Sequence, residues 1–242
     1  MYTVREAAEQ DLLEALRHVA EIGYAGVELA GLYGHPAEHV AQTLQELNLQ
    51  CVGSHVPLTQ LQNNLASVIE TYQQLGAKFL ACPWLPADLR ESEANYRKLA
   101  NDLNRIGEQC RVNGLGFCYH HHDFEFVEFN GKFALDILLE ESDPANVQLE
   151  ADTYWIQFVD LEPAEYIRRW QGRVPLVHLK DMTATQPPTF AEVGNGILNW
   201  STIFEAAEGP AQWYIVEQDK CAGDPFDSIK QSFDNLNKML KS

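Results

Sequence analysis

The chain predicts an α/β fold, a single-domain (β/α)8 barrel of the TIM type over residues 1–242, and three observations carry that expectation. Short β-rich runs alternate regularly with longer amphipathic runs, the pattern of parallel βα units. Eight such units fill the 242 residues with no Ser/Gly-rich linker, charge block or shift in composition that would mark a domain boundary. No G-x-G-x-x-G opens a helix, as an open dinucleotide-binding sheet would require; the nearest candidate, Gly194 and Gly196, lies in a loop.

The strand signals fall at residues 2–5, 26–29, 50–55, 78–82, 116–122, 147–152, 174–179 and 213–217. Helical periodicity fills the gaps at 11–22, 36–47, 58–75, 91–113, 133–140, 163–170, 200–207 and 225–240. In the first helix Leu12, Leu13, Leu16, Val19 and Ala20 share one face, and Gly23 ends it.

Composition narrows the function classes. With 45% hydrophobic residues, 35 Asp+Glu against 17 Lys+Arg and a net charge of −18, the chain is globular and repels phosphate backbones and anionic lipid. Neither nucleic acid nor a membrane is an expected partner; a small molecule is, and homo-oligomerisation stays open. Five cysteines (Cys51, Cys82, Cys110, Cys118, Cys221) with no C-x-x-C spacing suit reduced thiols and a cytoplasmic location. The N-terminal stretch is charged, and no apolar run approaches the ~18 residues of a membrane span, so neither signal peptide nor span is expected.

In a barrel of this kind the C-terminal strand ends build the site. Five of the eight histidines fall there: His55, His120, His121, His122 and His178. Carboxylates sit at equivalent heights: Glu28, Glu150, Asp152, Glu217 and Asp219. Residues two apart on a strand share a face, so His120 and His122 point together while His121 points away, to pack or hydrogen-bond outside the barrel. Likewise Glu150 pairs with Asp152, His178 with Lys180, and Glu217 with Asp219. Taken alone, any one of these is as readily a hydrogen-bonded core or surface residue. Together at a dry mouth they would be mutually costly unless neutralised, and a divalent cation (Mn²⁺, Mg²⁺, Co²⁺ or Zn²⁺) resolves that cost. His18, His35 and His39 read as solvated, and Cys82 and Cys118 as small core residues rather than nucleophiles.

At these positions the sequence resembles the sugar phosphate isomerase/epimerase family. These are the xylose isomerase-like TIM barrels of the AP endonuclease family 2 superfamily, which include ketose 3-epimerases, 2-keto-myo-inositol dehydratase and, more remotely, endonuclease IV. The resemblance runs through YTVR at 2–5, GYAGVE at 23–28, YHHHDFEF at 119–126, LEADTYW at 149–155, VHLKDM at 177–182, EVGNGILNW at 192–200 and IVEQD at 215–219. It implies a metal held by Asp152, His178 and Glu217, with His120 standing where the epimerases place a first glutamate. That departure weakens the case for symmetric two-glutamate epimerisation; Glu150 is the nearest substitute. The acidic charge argues against the DNA-cleaving branch.

The expected chemistry is proton abstraction next to the carbonyl of a keto-sugar or related polyol, through a metal-stabilised enediolate. An isomerase or epimerase is the leading outcome. The alternatives are a lyase or dehydratase using the same intermediate on a keto-sugar or keto-inositol, and a sugar-binding barrel without turnover. Glu217 is expected to be ligand and base, with His122, Lys180 and Glu150 as further catalytic groups and Arg5, Glu28, His55 and Trp84 as substrate contacts. Only Arg5, Lys180 and Lys220 are basic near the rim, which favours an unphosphorylated substrate. The loop 192–200 is expected to cross the mouth, with Gly194 and Gly196 allowing close approach.

Overall fold

Seven parallel strands form one sheet curled into a nearly closed barrel in the computed structural model, which describes residues 1–240. In chain order they are β1 (Gly26–Leu29), β2 (Gln50–His55), β3 (Phe79–Cys82), β4 (Gly116–His120), β5 (Gln148–Asp152), β6 (Leu176–Leu179) and β7 (Trp213–Val216). Each pairs only with its neighbours in sequence, from β1 through to β7. The helices between them pack outside: α1 (Arg5–Ile22), α2 (Ala37–Glu46), α3 (Leu58–Asn63), α4 (Leu65–Gln74), α5 (Glu93–Val112), α6 (Ala134–Glu140), α7 (Thr153–Phe158), α8 (Pro163–Arg169), α9 (Trp200–Ala207) and α10 (Pro225–Met239). No helix among the described residues is long and apolar enough to cross a membrane.

The expected first strand at 2–5 is not a strand. Residues Tyr2–Val4 form a 3-10 turn that runs directly into α1, so the barrel has seven strands rather than eight. The Tyr-Thr-Val signal is short, and the helix-forming Glu6, Ala7, Ala8 and Glu9 immediately follow it; the Val4 N–H closes the turn onto the Met1 carbonyl at 3.1 Å. This turn spans the seam between β1 and β7. The Met1 amine donates to the Glu28 carbonyl at 2.7 Å on one side, and Thr3 Oγ1 accepts from the Gln218 N–H at 2.9 Å on the other. A cavity of about 150 Å³ remains between the two edge strands beneath it.

Helix boundaries follow from local chemistry. Within α1, Asp11 leaves helical geometry (φ −154°) and its carboxylate accepts from the Glu14 N–H at 3.0 Å, a cap at the position where apolar periodicity begins. Ser92 caps α5, Asn199 caps α9, and Asp224 with Pro225 opens α10. The predicted helix 58–75 is two helices that meet at Asn64, and α7 lies where no helix was expected.

Two apolar layers result. The outer one joins helices to the back of the sheet, with Leu12, Leu16, Leu80, Leu103, Leu135 and Ile203 fully buried. The inner one floors the barrel with Val52, Phe79, Ala81, Cys118 and Leu176. Phe79 fits because Gly116 opposite has no side chain: a Cβ there would lie 2.4 Å from the Phe79 ring. The five cysteines are free thiols, and burial pushes Cys82 up to about 12, so it stays protonated.

Candidate active site

Above that apolar floor the inward-facing positions turn polar in two steps. On β1 the inward residue is Glu28. On β2 the register against β1 slips between Val27 and Glu28, so that Glu28 faces Gly53 and Leu29 faces Ser54. The extra residue changes the parity of β2: Ser54 faces the helices, bonding Tyr72 Oη at 2.9 Å, and His55 turns into the barrel. Period-two alternation does the rest, setting Glu150 below Asp152 on β5, His178 below Lys180 at the end of β6, and Glu217 followed by Asp219 beyond β7.

The lower layer is Glu28, His55, Glu150 and His178. His55 Nε2 lies 2.9 Å from Glu150 Oε2 and 3.1 Å from Glu28 Oε2; His178 Nε2 lies 3.0 Å from Glu28 Oε2 and 3.3 Å from Glu150 Oε1. Burial works to lower both imidazoles, but the flanking carboxylates outweigh it, raising His55 to about 10 and His178 well above its ordinary value. Burial works to raise Glu150, and the two imidazoles hold it well below the usual carboxylate range.

The upper layer centres on Lys180, whose side chain is completely buried. Its ammonium donates to Asp152 Oδ2 at 2.8 Å and Asp219 Oδ1 at 3.0 Å and forms an ion pair with Glu217 Oε1 at 2.9 Å. His120 Nε2 lies 3.2 Å from Asp152 Oδ2. Burial works to raise Asp152 and Glu217, yet Lys180 and the imidazoles hold both well below the usual range, so both are carboxylates at neutral pH. Asp152 also caps α7: its Oδ1 accepts from the Tyr154 and Trp155 N–H groups at 2.9 and 3.2 Å. His121, on the outward face of the β4 extension, accepts from the Asp152 N–H at 3.0 Å and is held neutral, lowered to about 3 chiefly by burial. It thereby ties the chain after β4 to the end of β5.

The four residues of the expected metal set, His120, Asp152, His178 and Glu217, offer ligand atoms within 4.8 Å of one another, and all four are buried. The donors fit a divalent cation by type, two imidazoles and two ionised carboxylates. They fit by orientation as well: His178 Nδ1 faces Glu217 Oε1 at 3.5 Å, is buried and makes no hydrogen bond.

A cavity of about 260 Å³ opens onto this cluster from the C-terminal face. Of the expected site residues, His55, Trp84, His120, His122 and Glu217 line it. Glu28, Glu150 and Lys180 lie beneath, engaged with one another's neighbours as described. Arg5 is turned to the last strand end, donating to the Asp219 carbonyl and the Tyr2 carbonyl at 2.9 Å each. Two polar lining residues, Tyr2 and Asp219, were not among the expected site residues, nor were the apolar Ala30, Pro57 and Pro83. Asp219 shares the face of Glu217, a signal present in the two-residue spacing; Tyr2 reaches the mouth only because its segment is a turn rather than a strand. His122 packs between Phe124 and Trp155, ring centroids 5.3 and 5.4 Å away, and its Nδ1 is unpaired. Burial, then His120 and Lys180, lower it to about 2, so its ring is neutral.

The loop 192–200, expected to cross the mouth, contributes none of the residues that line the cavity and is anchored by Asp181. Its carboxylate accepts from the N–H groups of Gly194, Gly196 and Leu198 and from the Trp200 indole at 2.9–3.2 Å. Gly196 is required there, since a Cβ would meet Asp181 Oδ1 at 2.2 Å.

A parallel barrel with its polar cluster at the C-terminal strand ends defines the TIM-barrel class. Within it the chain belongs to the xylose isomerase-like TIM barrel family, whose model matches residues 16–239. The chain is similar to an inosose dehydratase of Geobacillus thermodenitrificans, 28% identical over 156 residues that cover 56% of this chain and 52% of that protein, about half its length. A similar protein of the same name from Bacillus cereus is 22% identical over 260 residues, covering 91% of this chain and 87% of the relative. Among solved structures, a sugar phosphate isomerase/epimerase from Parabacteroides distasonis superposes with a TM-score of 0.84 at 22% identity, covering 98% of this chain and 95% of the other. The IolI protein with a bound zinc atom superposes with a TM-score of 0.70 at 13% identity, covering 93% and 90%.

Proposed function

We propose that the protein is a divalent-metal-dependent enzyme that removes the proton next to the carbonyl of an unphosphorylated keto-polyol and completes a dehydration. The observation that carries this reading is an asymmetry of the cavity. The chain beyond β7 presents the carboxylates Glu217 and Asp219, whereas the end of β4 presents the imidazoles His120 and His122. Exchange between two equivalent carboxylates, which a reversible epimerisation would use, has no counterpart in that arrangement. The dehydratase names of the relatives point the same way.

A cation held by His120, Asp152, His178 and Glu217 would stabilise the charge that develops on the substrate carbonyl oxygen. Glu217 takes the proton on carbon, and the Lys180 ammonium beneath it, 2.9 Å from Oε1, holds the carboxylate in place. When the neighbouring C–O bond breaks, the proton on Glu217 passes to the departing hydroxyl and water leaves. His122 borders the cavity and offers the substrate a neutral ring. No Lys or Arg is among the described residues that line the cavity, which favours a neutral substrate over a phosphorylated one.

The test is product analysis with inosose in D₂O and added Mn²⁺. Dehydration yields an ultraviolet-absorbing enone. Deuterium at the α carbon without an enone would assign epimerisation or isomerisation instead, and neither signal would leave a binding protein.

A further inference from the structure

Of the lower layer, only His178 takes part in the chemistry proposed above. Glu28, His55, Glu150 and His178 come from β1, β2, β5 and β6, and their ligand atoms lie within 4.8 Å of one another. The slip in β2 pairing that turns His55 inward brings it into this group. Glu28 Oε1 is buried and without a hydrogen-bond partner, and Glu150 Oε1, wholly withdrawn from solvent, has only His178 Nε2 at 3.3 Å. An unpartnered carboxylate oxygen such as Glu28 Oε1 is expensive to strand in a barrel interior. A divalent cation bound by these four takes the place of the protons on the His55 and His178 rings, which leave to solvent. His178 presents Nε2 to this layer and Nδ1 to Glu217 above, so the two layers meet through opposite nitrogens of one ring.

We propose that Glu28, His55, Glu150 and Nε2 of His178 form a second divalent-cation site beneath the upper one. Two nitrogens and two carboxylate oxygens in a closed four-donor set suit Zn²⁺. The ion enters past His55, whose ring borders the cavity and whose side chain is 10% exposed. Its occupancy does not depend on the reaction assigned to the cavity.

The experiment titrates metal-free protein with Zn²⁺ and locates the ions by anomalous diffraction at the zinc edge. The expected result is two ions per chain, one of them between Glu28, His55, Glu150 and His178. The double variant Glu28→Gln/Glu150→Gln should bind one ion, and Asp152→Asn should lose only the upper one. A single peak confined to the upper layer in wild-type crystals at saturating Zn²⁺ overturns the proposal, as does unchanged stoichiometry in the double variant. Because the diffraction arm uses the wild-type chain, it decides even if the double variant does not fold. An enzyme inactive on keto-polyols that still holds the lower ion would sink the functional reading and leave this site standing.

Discussion

Lys180 Nζ donates to Asp152 Oδ2 at 2.8 Å with both side chains entirely withdrawn from solvent. That one cation sits among three carboxylates, Asp152, Glu217 and Asp219, and its loss would leave them facing one another with nothing between them unless a metal is present.

Replacing Lys180 with Met should therefore destabilise the chain by about 3–5 kcal/mol, the scale of breaking a buried ion pair. Urea denaturation with and without Mn²⁺ reads it. The variant's midpoint should fall, and added Mn²⁺ should raise it by more than it raises the wild-type midpoint.

Glu125 makes a separate prediction for pH. It is buried, accepts from Tyr119 Oη at 2.5 Å and from the His122 N–H at 2.8 Å, and burial raises it from 4.5 to about 8. A carboxyl raised in the folded state binds its proton more tightly there than when unfolded, so its stabilising contribution is complete below pH 4.5 and is lost as pH rises to about 8. Relative to Glu125→Gln, the wild type should lose stability across that window and run parallel to it above. A flat difference between the two denaturation series would show that Glu125 is ionised throughout.

Asp181 should control the order of the loop 192–200. Asp181→Ala removes the acceptor for four loop donors, each bond to a charged acceptor being worth ~1.5–3 kcal/mol. Amide exchange across residues 192–200 should accelerate by at least about tenfold, while exchange in β3 and β4 stays at the wild-type rate.

The barrel itself was legible because its signals are repeated: strand follows helix, and each apolar face has its own period. The pairings Glu150 with Asp152, His178 with Lys180, and Glu217 with Asp219 followed from the same two-residue alternation. What escaped were single local events. Tyr2–Val4 carries β-favouring residues, yet the helix behind it draws the segment into a turn. The slip that brings His55 inward depends on β1 and β2 pairing across the sheet, which no local pattern encodes. Helix α7 starts at Thr153 because the Asp152 side chain caps it, so one residue read as a strand-end carboxylate also begins a helix. Arg5 was placed by charge near the rim, but its guanidinium is spent on backbone carbonyls.

The central claim is that Glu217 removes a carbon-bound proton in a metal-dependent step. The most direct measurement is the rate at which inosose loses its α proton to D₂O, followed by NMR across a Mn²⁺ titration of chelator-stripped protein. The account predicts no exchange without metal, restoration by Mn²⁺, and a rate about 10²–10⁴-fold lower for Glu217→Gln at every metal concentration. Full exchange by the stripped protein, or complete rescue of Glu217→Gln by excess Mn²⁺, would contradict it.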